Sequence, residues 1–137
     1  MTLLFFILVS GVISYIDIKK GLILDKIMFP SFLGLLVLKY LDGSLGTYDF
    51  IAVFSILVIF IIPIILNFSF GGGDLRFGAF CALFVGLSSL GYFVIVSGLI
   101  HLAILTVLQK KSFAFAPAMS VGAISVSLLM EFIWEMV

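Results

Sequence analysis

Residues 50–68 read FIAVFSILVIFIIPIILNF, a run with no charged side chain, and how that run is read decides the fold. A helix that crosses a bilayer uses about 20 predominantly apolar residues, and this stretch supplies them with only Ser55 and Asn67 as polar interruptions. Pro63 falls inside the run. It is expected to kink the helix rather than end it, because helices in lipid tolerate proline.

Working outward, the same kind of stretch recurs on both sides, at 3–16, 27–41, 75–90, 91–108 and 115–136. The breaks are KKGLILDK (19–26), DGSLGTYD (42–49), SFGGGD (69–74), SSLG (88–91) and QKKS (109–112). The first two spans are short and need flanking residues or a thinner bilayer. The fourth and fifth are separated by Ser88, Ser89 and Gly91, which make a tight turn. Pro117 suits the first turn of the last helix, where its missing N–H costs nothing.

The chain has 137 residues, 64% of them hydrophobic and 10% charged, with 7 Lys or Arg against 7 Asp or Glu. Soluble domains carry about 25% charge. The composition excludes a soluble globular protein, a disordered chain and a nucleic-acid binder, which needs a basic face. Cys81 is the one cysteine, so neither an internal disulfide nor a cysteine-built zinc site is available. The expected fold is an all-α polytopic membrane protein, a bundle of about six transmembrane helices with short loops. It forms a single domain over 1–137, with any chemistry on helix ends and the loops between them. The first apolar run carries Lys19 and Lys20 after it and no charge before it, the reverse of a secretory leader, so it is read as a retained first helix.

Positive charge orients such a bundle toward the cytoplasm. Lys19, Lys20 and Lys26 lie in the first loop, Arg76 by the third, and Lys110 and Lys111 in the fifth. These loops share one side, expected to be cytoplasmic, which leaves both termini outside. Asp42, Asp49, Glu131 and Glu135 lie on the other side, with Lys39 as its one positive charge. Three acidic residues depart from the pattern by lying on the basic side: Asp17, Asp25 and Asp74. A carboxylate at the membrane boundary is costly and often functional. Each also has a plainer role, Asp25 and Asp74 as helix caps and Asp17 as a solvated helix end beside two lysines.

The sequence around Asp74 weighs against a cap alone. In SFGGGDLRFGAF, Gly71, Gly72 and Gly73 remove every side chain ahead of the carboxylate and permit backbone angles other residues avoid. An extended peptide could approach closely there, with glycine N–H groups holding a polarised oxygen. A phosphate loop would need the GK[ST] ending that is missing here, and Asp74 places an anion where phosphate would bind.

Gly71, Gly73 and Asp74 form a GxGD motif, and GGGDLRFGAFCALFVG (71–86) resembles the second motif of the type IV prepilin peptidases, with Arg76 as the basic residue two positions on. SYIDIKKGLILD (14–25) is similar to their first motif, and FAFAPAMSVGA (113–123) to the proline-containing start of their last helix. The resemblance spans most of the chain, in order. It implies a membrane-embedded aspartic endopeptidase with Asp17 and Asp74 as the catalytic pair. Gly71, Gly72, Gly73, Asp25 and Arg76 would shape the site or bind substrate. The likeness is to the short, peptidase-only members: a chain with Cys81 alone leaves no place for the cysteine-bearing cytoplasmic domain of many bacterial members, and methyltransferase activity is not expected. Substrates would be type IV prepilins or pilin-like preproteins, cut where a short leader meets an apolar helix, after the leader's terminal glycine.

Two carboxylates held close share one proton and titrate as a pair. One takes a proton from the attacking water while the other protonates the developing oxyanion. Neither a metal nor another cofactor is called for, and the expected partners are the substrate protein and the bilayer of the cell membrane. Two other readings remain open: a small proton-coupled transporter, whose site would lie nearer the midplane, and a non-enzymatic subunit of a pilus or secretion machine. His101, mid-span, is expected to hydrogen-bond a neighbouring helix, Cys81 to pack where helices approach closely, and Trp134 to anchor at an interface.

Overall fold

The computed structural model describes residues 2–20, 25–43, 45–66, 72–109 and 115–136. They form six α-helices and no strand: α1 (Thr2–Lys20), α2 (Asp25–Leu41), α3 (Thr47–Ile65), α4 (Gly72–Val85), α5 (Leu90–Leu108) and α6 (Ala116–Met136). Three segments are long and apolar enough to cross a membrane, Thr2–Lys20, Leu87–Leu108 and Ala116–Met136, and Thr47–Ile62 and Leu75–Val85 are shorter apolar helices.

All the helices but α4 pack through a stripe at helical spacing. In α1 the stripe is Phe6, Ser10, Ile13 and Asp17; in α2 it is Met28, Ser31, Leu35 and Lys39; in α5 it is Leu90, Phe93 and Ser97. The opposite faces carry exposed apolar side chains such as Leu4, Leu8, Phe29, Leu33, Phe54, Ile95 and Leu99. Apolar residues on both faces are what a helix between protein and lipid needs.

At the centre stands α4, in which every residue from Phe77 to Leu83 is buried. Gly78, Ala79, Cys81 and Ala82 let neighbours come close from several directions. A Cβ on Gly78 would meet the Phe60 ring of α3, with Cδ2 at 2.7 Å. Phe6 of α1 stacks on Phe80 and Phe84, at 5.3 and 4.1 Å between ring centroids. Buried Cys81 fills its expected packing role.

The α4–α5 break comes slightly earlier than the sequence reading places it. Gly86 takes the turn with φ +87°, a single 3-10 turn follows over Leu87–Ser89, and Gly91 lies inside α5. Only glycine adopts such a φ without strain, so Gly86, not Gly91, is the residue that ends α4. Pro117 occupies the first turn of α6 as expected, and α3 runs past Pro63 to Ile65.

The interhelix contacts fix direction. Phe6 lies against Phe84 and Asp17 against Ala116, so α1 is antiparallel to α4 and α6. Ser97 faces Gly122 and His101 faces Phe115, so α5 is antiparallel to α6.

Candidate active site

Asp17 closes the buried stripe of α1. Although it lies in the last turn, next to two exposed lysines, it is only 6% exposed. It is therefore a packed residue and not the solvated helix end that its lysine neighbours allowed. The Ala116 N–H donates to Asp17 Oδ2 across 3.3 Å. Ala116 is the first residue of α6, so this amide has no partner within its own helix. One turn deeper, Ser14 Oγ and Ser120 Oγ are 2.9 Å apart, and Ser120 also donates to the Ala116 carbonyl at 2.8 Å. The Ser120 proton being committed to that carbonyl, Ser14 is the donor between the two hydroxyls. A short polar seam thus runs between the end of α1 and the start of α6.

Asp74 lies in the first turn of α4 and not at its N-cap. The packing register sets its height. Asp17 is eleven residues along α1 from Phe6, about 16 Å at 1.5 Å per residue, and Asp74 is ten residues back along α4 from Phe84, about 15 Å. On straight antiparallel helices anchored at the Phe6–Phe84 stack, these two rises match. A second route agrees: Phe60 touches both Gly78, one turn from Asp74, and Phe115, next to Ala116. Asp25 begins α2, Gly72 and Gly73 begin α4, and Arg76 is exposed one turn into it. Gly71 and the side chains of Asp25 and Asp74 lie outside the described residues.

A match to the model of the type IV leader peptidase family covers residues 4–107, three quarters of the chain, and includes Asp17, Asp25 and Gly71 to Arg76. The chain belongs to the type IV leader peptidase family. At that level it is a leader-peptidase-like protease with the apolar helices of a membrane protein. No curated protein and no solved structure matches the chain.

A polar pair that the sequence reading assigned only to the outer side proves to be buried. Lys39 and Asp49 form an ion pair at 2.8 Å, with side chains 10% and 11% exposed, at the end of the bundle away from Asp17. Lys39 Nζ also donates to the Leu83 carbonyl at 2.7 Å, in the last turn of α4, and Asp49 Oδ2 accepts the Gly46 N–H at 2.9 Å. The available signal was phase: Lys39 falls four residues after Leu35, on the packed stripe. His101 also departs from expectation. Its buried Nδ1 has no hydrogen-bond partner among the described residues, and the ring instead packs edge-on against Phe115 at 4.6 Å. Glu131, Glu135 and Trp134 are exposed. Among the described residues no group of three or more His, Cys, Asp or Glu could hold a metal ion.

Proposed function

We propose that this family member is a membrane-embedded aspartic endopeptidase that removes the short leader from type IV prepilins or pilin-like preproteins at the cytoplasmic membrane boundary, with Asp17 and Asp74 as its working pair. The observation that carries the reading is the burial of the Asp17 carboxylate at the end of an apolar helix, and the register of the Phe6–Phe84 stack supports a common level for Asp17 and Asp74. In this mechanism one carboxylate, ionised, takes a proton from water as the water attacks the scissile carbonyl. The other, protonated, donates to the developing oxyanion, and the pair returns to its starting state when the amine leaves. In this reading Gly71, Gly72 and Gly73 would keep the approach to Asp74 free of side chains, and Arg76 and Asp25 would shape the site or bind substrate. The substrate presents a polar leader to the basic face, while its apolar helix lies against the exposed apolar side chains of the bundle.

A specific observation favours a plainer role for Asp17, since its carboxylate caps α6. Substitution by Asn separates the two roles. Asn caps a helix about as well as Asp but cannot exchange the proton. Purified protein is incubated in detergent with a panel of prepilins, and the products are read by N-terminal sequencing. Asp17→Asn and Asp74→Asn should each reduce cleavage to background, and the double variant should be no worse, as for linked catalytic groups. Asp25→Asn should retain measurable activity. Full activity in Asp74→Asn refutes the protease mechanism, and full activity in Asp17→Asn reduces Asp17 to a cap.

A further inference from the structure

The last helix, α6, lies beyond the residues that match the family, yet its first turn holds Asp17. We propose that this turn is a working part of the site: the Ala116 amide, braced by the Ser14–Ser120 link, fixes the orientation of the Asp17 carboxylate for reaction, so that Ala116 and Ser120 are positioning residues. The inference rests on the reading of Asp17 as one of the two catalytic carboxylates.

Three features of the geometry carry it. The first is the donor itself. As the opening residue of α6, Ala116 has an N–H that serves no intrahelical bond, and the described residues offer the Asp17 carboxylate no other hydrogen bond. Oδ2 is thereby committed, and among these residues Oδ1 accepts nothing. The second is the count. A single N–H directs one oxygen of the carboxylate and leaves the other open, which is what a proton-exchanging group needs. The third is the bracing. Asp17–Ala116 and Ser14–Ser120 are two cross-links between the same helices one turn apart, and together they resist both rotation and axial sliding of α6 on α1. The other side of α6 is held by the crossing of Gly122 over Ser97, where a Cβ would come within 3.2 Å of Ser97 Cα. Phe115 is held in turn between the rings of His101 and Phe60. The α6 start is thus fixed from three helices, and its first amide meets Asp17.

Two variants test this together. Ala116→Pro deletes the N–H where proline is favoured, although its ring fills the space of that hydrogen beside Asp17; Ser120→Ala removes the brace and leaves that space untouched, so both must lower kcat for the inference to stand. The full chain is assayed in detergent on a prepilin that the wild type cleaves, with kcat and KM measured per folded molecule beside thermal stability. Ala116→Pro should lower kcat by about tenfold to a hundredfold, the range for a misplaced reacting group, with KM changed by less than about twofold. Ser120→Ala should lower kcat by a smaller factor in the same way. A structural cap gives the opposite signature, lower stability with wild-type kcat, and that result for Ala116→Pro overturns the inference. If Ala116→Pro fails to insert, Ser120→Ala decides by the same criterion. Asp17→Asn, run in parallel, keeps the two levels apart. When it is inactive and Ala116→Pro is fully active, the inference alone falls; when Asp17→Asn is active, the catalytic reading of Asp17 falls and takes the inference with it.

Discussion

Replacing Lys39 with Met should be among the most destabilising single changes in this chain. The substitution keeps an unbranched chain of similar length and removes the ammonium. What remains is Asp49, its side chain 11% exposed, with the Gly46 amide as the hydrogen bond that survives, and a Leu83 carbonyl deprived of its lysine donor. Removing one partner of a buried ion pair costs about 3–5 kcal/mol, and an orphaned buried acceptor adds to that by about 1–3 kcal/mol. The overlap between these terms makes about 4 kcal/mol a fair central value. The double variant Lys39→Met/Asp49→Leu removes the uncompensated charge and should recover roughly half of the loss. It should not recover all of it, because the Leu83 carbonyl and the Gly46 amide stay without their partners.

The assay is reversible unfolding in mixed micelles, run on the wild type, the two single variants and the double variant. A coupling energy above about 2 kcal/mol should emerge from the cycle, within the range for residues that share a network. Because the pair sits at the end of α4 remote from Asp74, leader cleavage per folded molecule should be unchanged in Lys39→Met. A loss below about 1 kcal/mol would place the pair with solvent-exposed salt bridges and refute the buried staple.

Two further outcomes are expected. Gly122→Ala should destabilise by about 1–3 kcal/mol in the same assay, because its Cβ would press on the Ser97 backbone, whereas Gly98→Ala, with open space around its Cβ, should be neutral or stabilising by up to about 1 kcal/mol. In a Cys81→Ala background, cysteines at Lys20 and Lys111 should be shielded from an impermeant thiol reagent added to intact cells while one at Ser44 reacts; labelling of Lys20 with Ser44 protected would invert the bundle and remove the cytoplasmic site.

Helix number and order were legible in the sequence because charges and glycines punctuate the apolar runs at nearly every boundary. The faces were not. In α3, Ala52, Ile56 and Phe60 are buried while Phe54, Val58 and Ile61 are exposed, and nothing in their chemistry separates the two sets. A soluble helix announces its core face by polarity, but a helix in lipid is apolar on both sides. The readable trace is the placement of small and polar residues: Ser10, Ser14 and Asp17 line up along α1, and two of the three reach across to α6. That trace marks Asp17 as packed. It does not name Ala116 as its partner, since a contact between residues 99 positions apart depends on how the helices assemble. Lys39 was hidden for the same reason. Its charge suggested a surface residue, and its phase on α2 placed it in the interior.

The two buried charges follow one rule. With 14 residues, α4 rises about 21 Å, short of a hydrocarbon core of roughly 30 Å. Leu83 in the last turn of α4 and Ala116 at the start of α6 are both fully buried, so these two helix ends lie within the bundle. An interior helix end exposes unpaired backbone groups where water is scarce, positive at the N-terminus and negative at the C-terminus. Each is met by a side chain of opposite sign from a neighbouring helix, Asp17 at the start of α6 and Lys39 at the end of α4. The difference between them lies in what else they touch. Lys39 has Asp49 within 2.8 Å, and its charge is closed off in a pair. Asp17 has a single bond from one amide among the described residues, and no cation is paired with it there. The same device thus locks α4 at one end of the bundle, and at the other it holds a carboxylate in place without consuming its charge, which is the condition a proton-exchanging residue must meet.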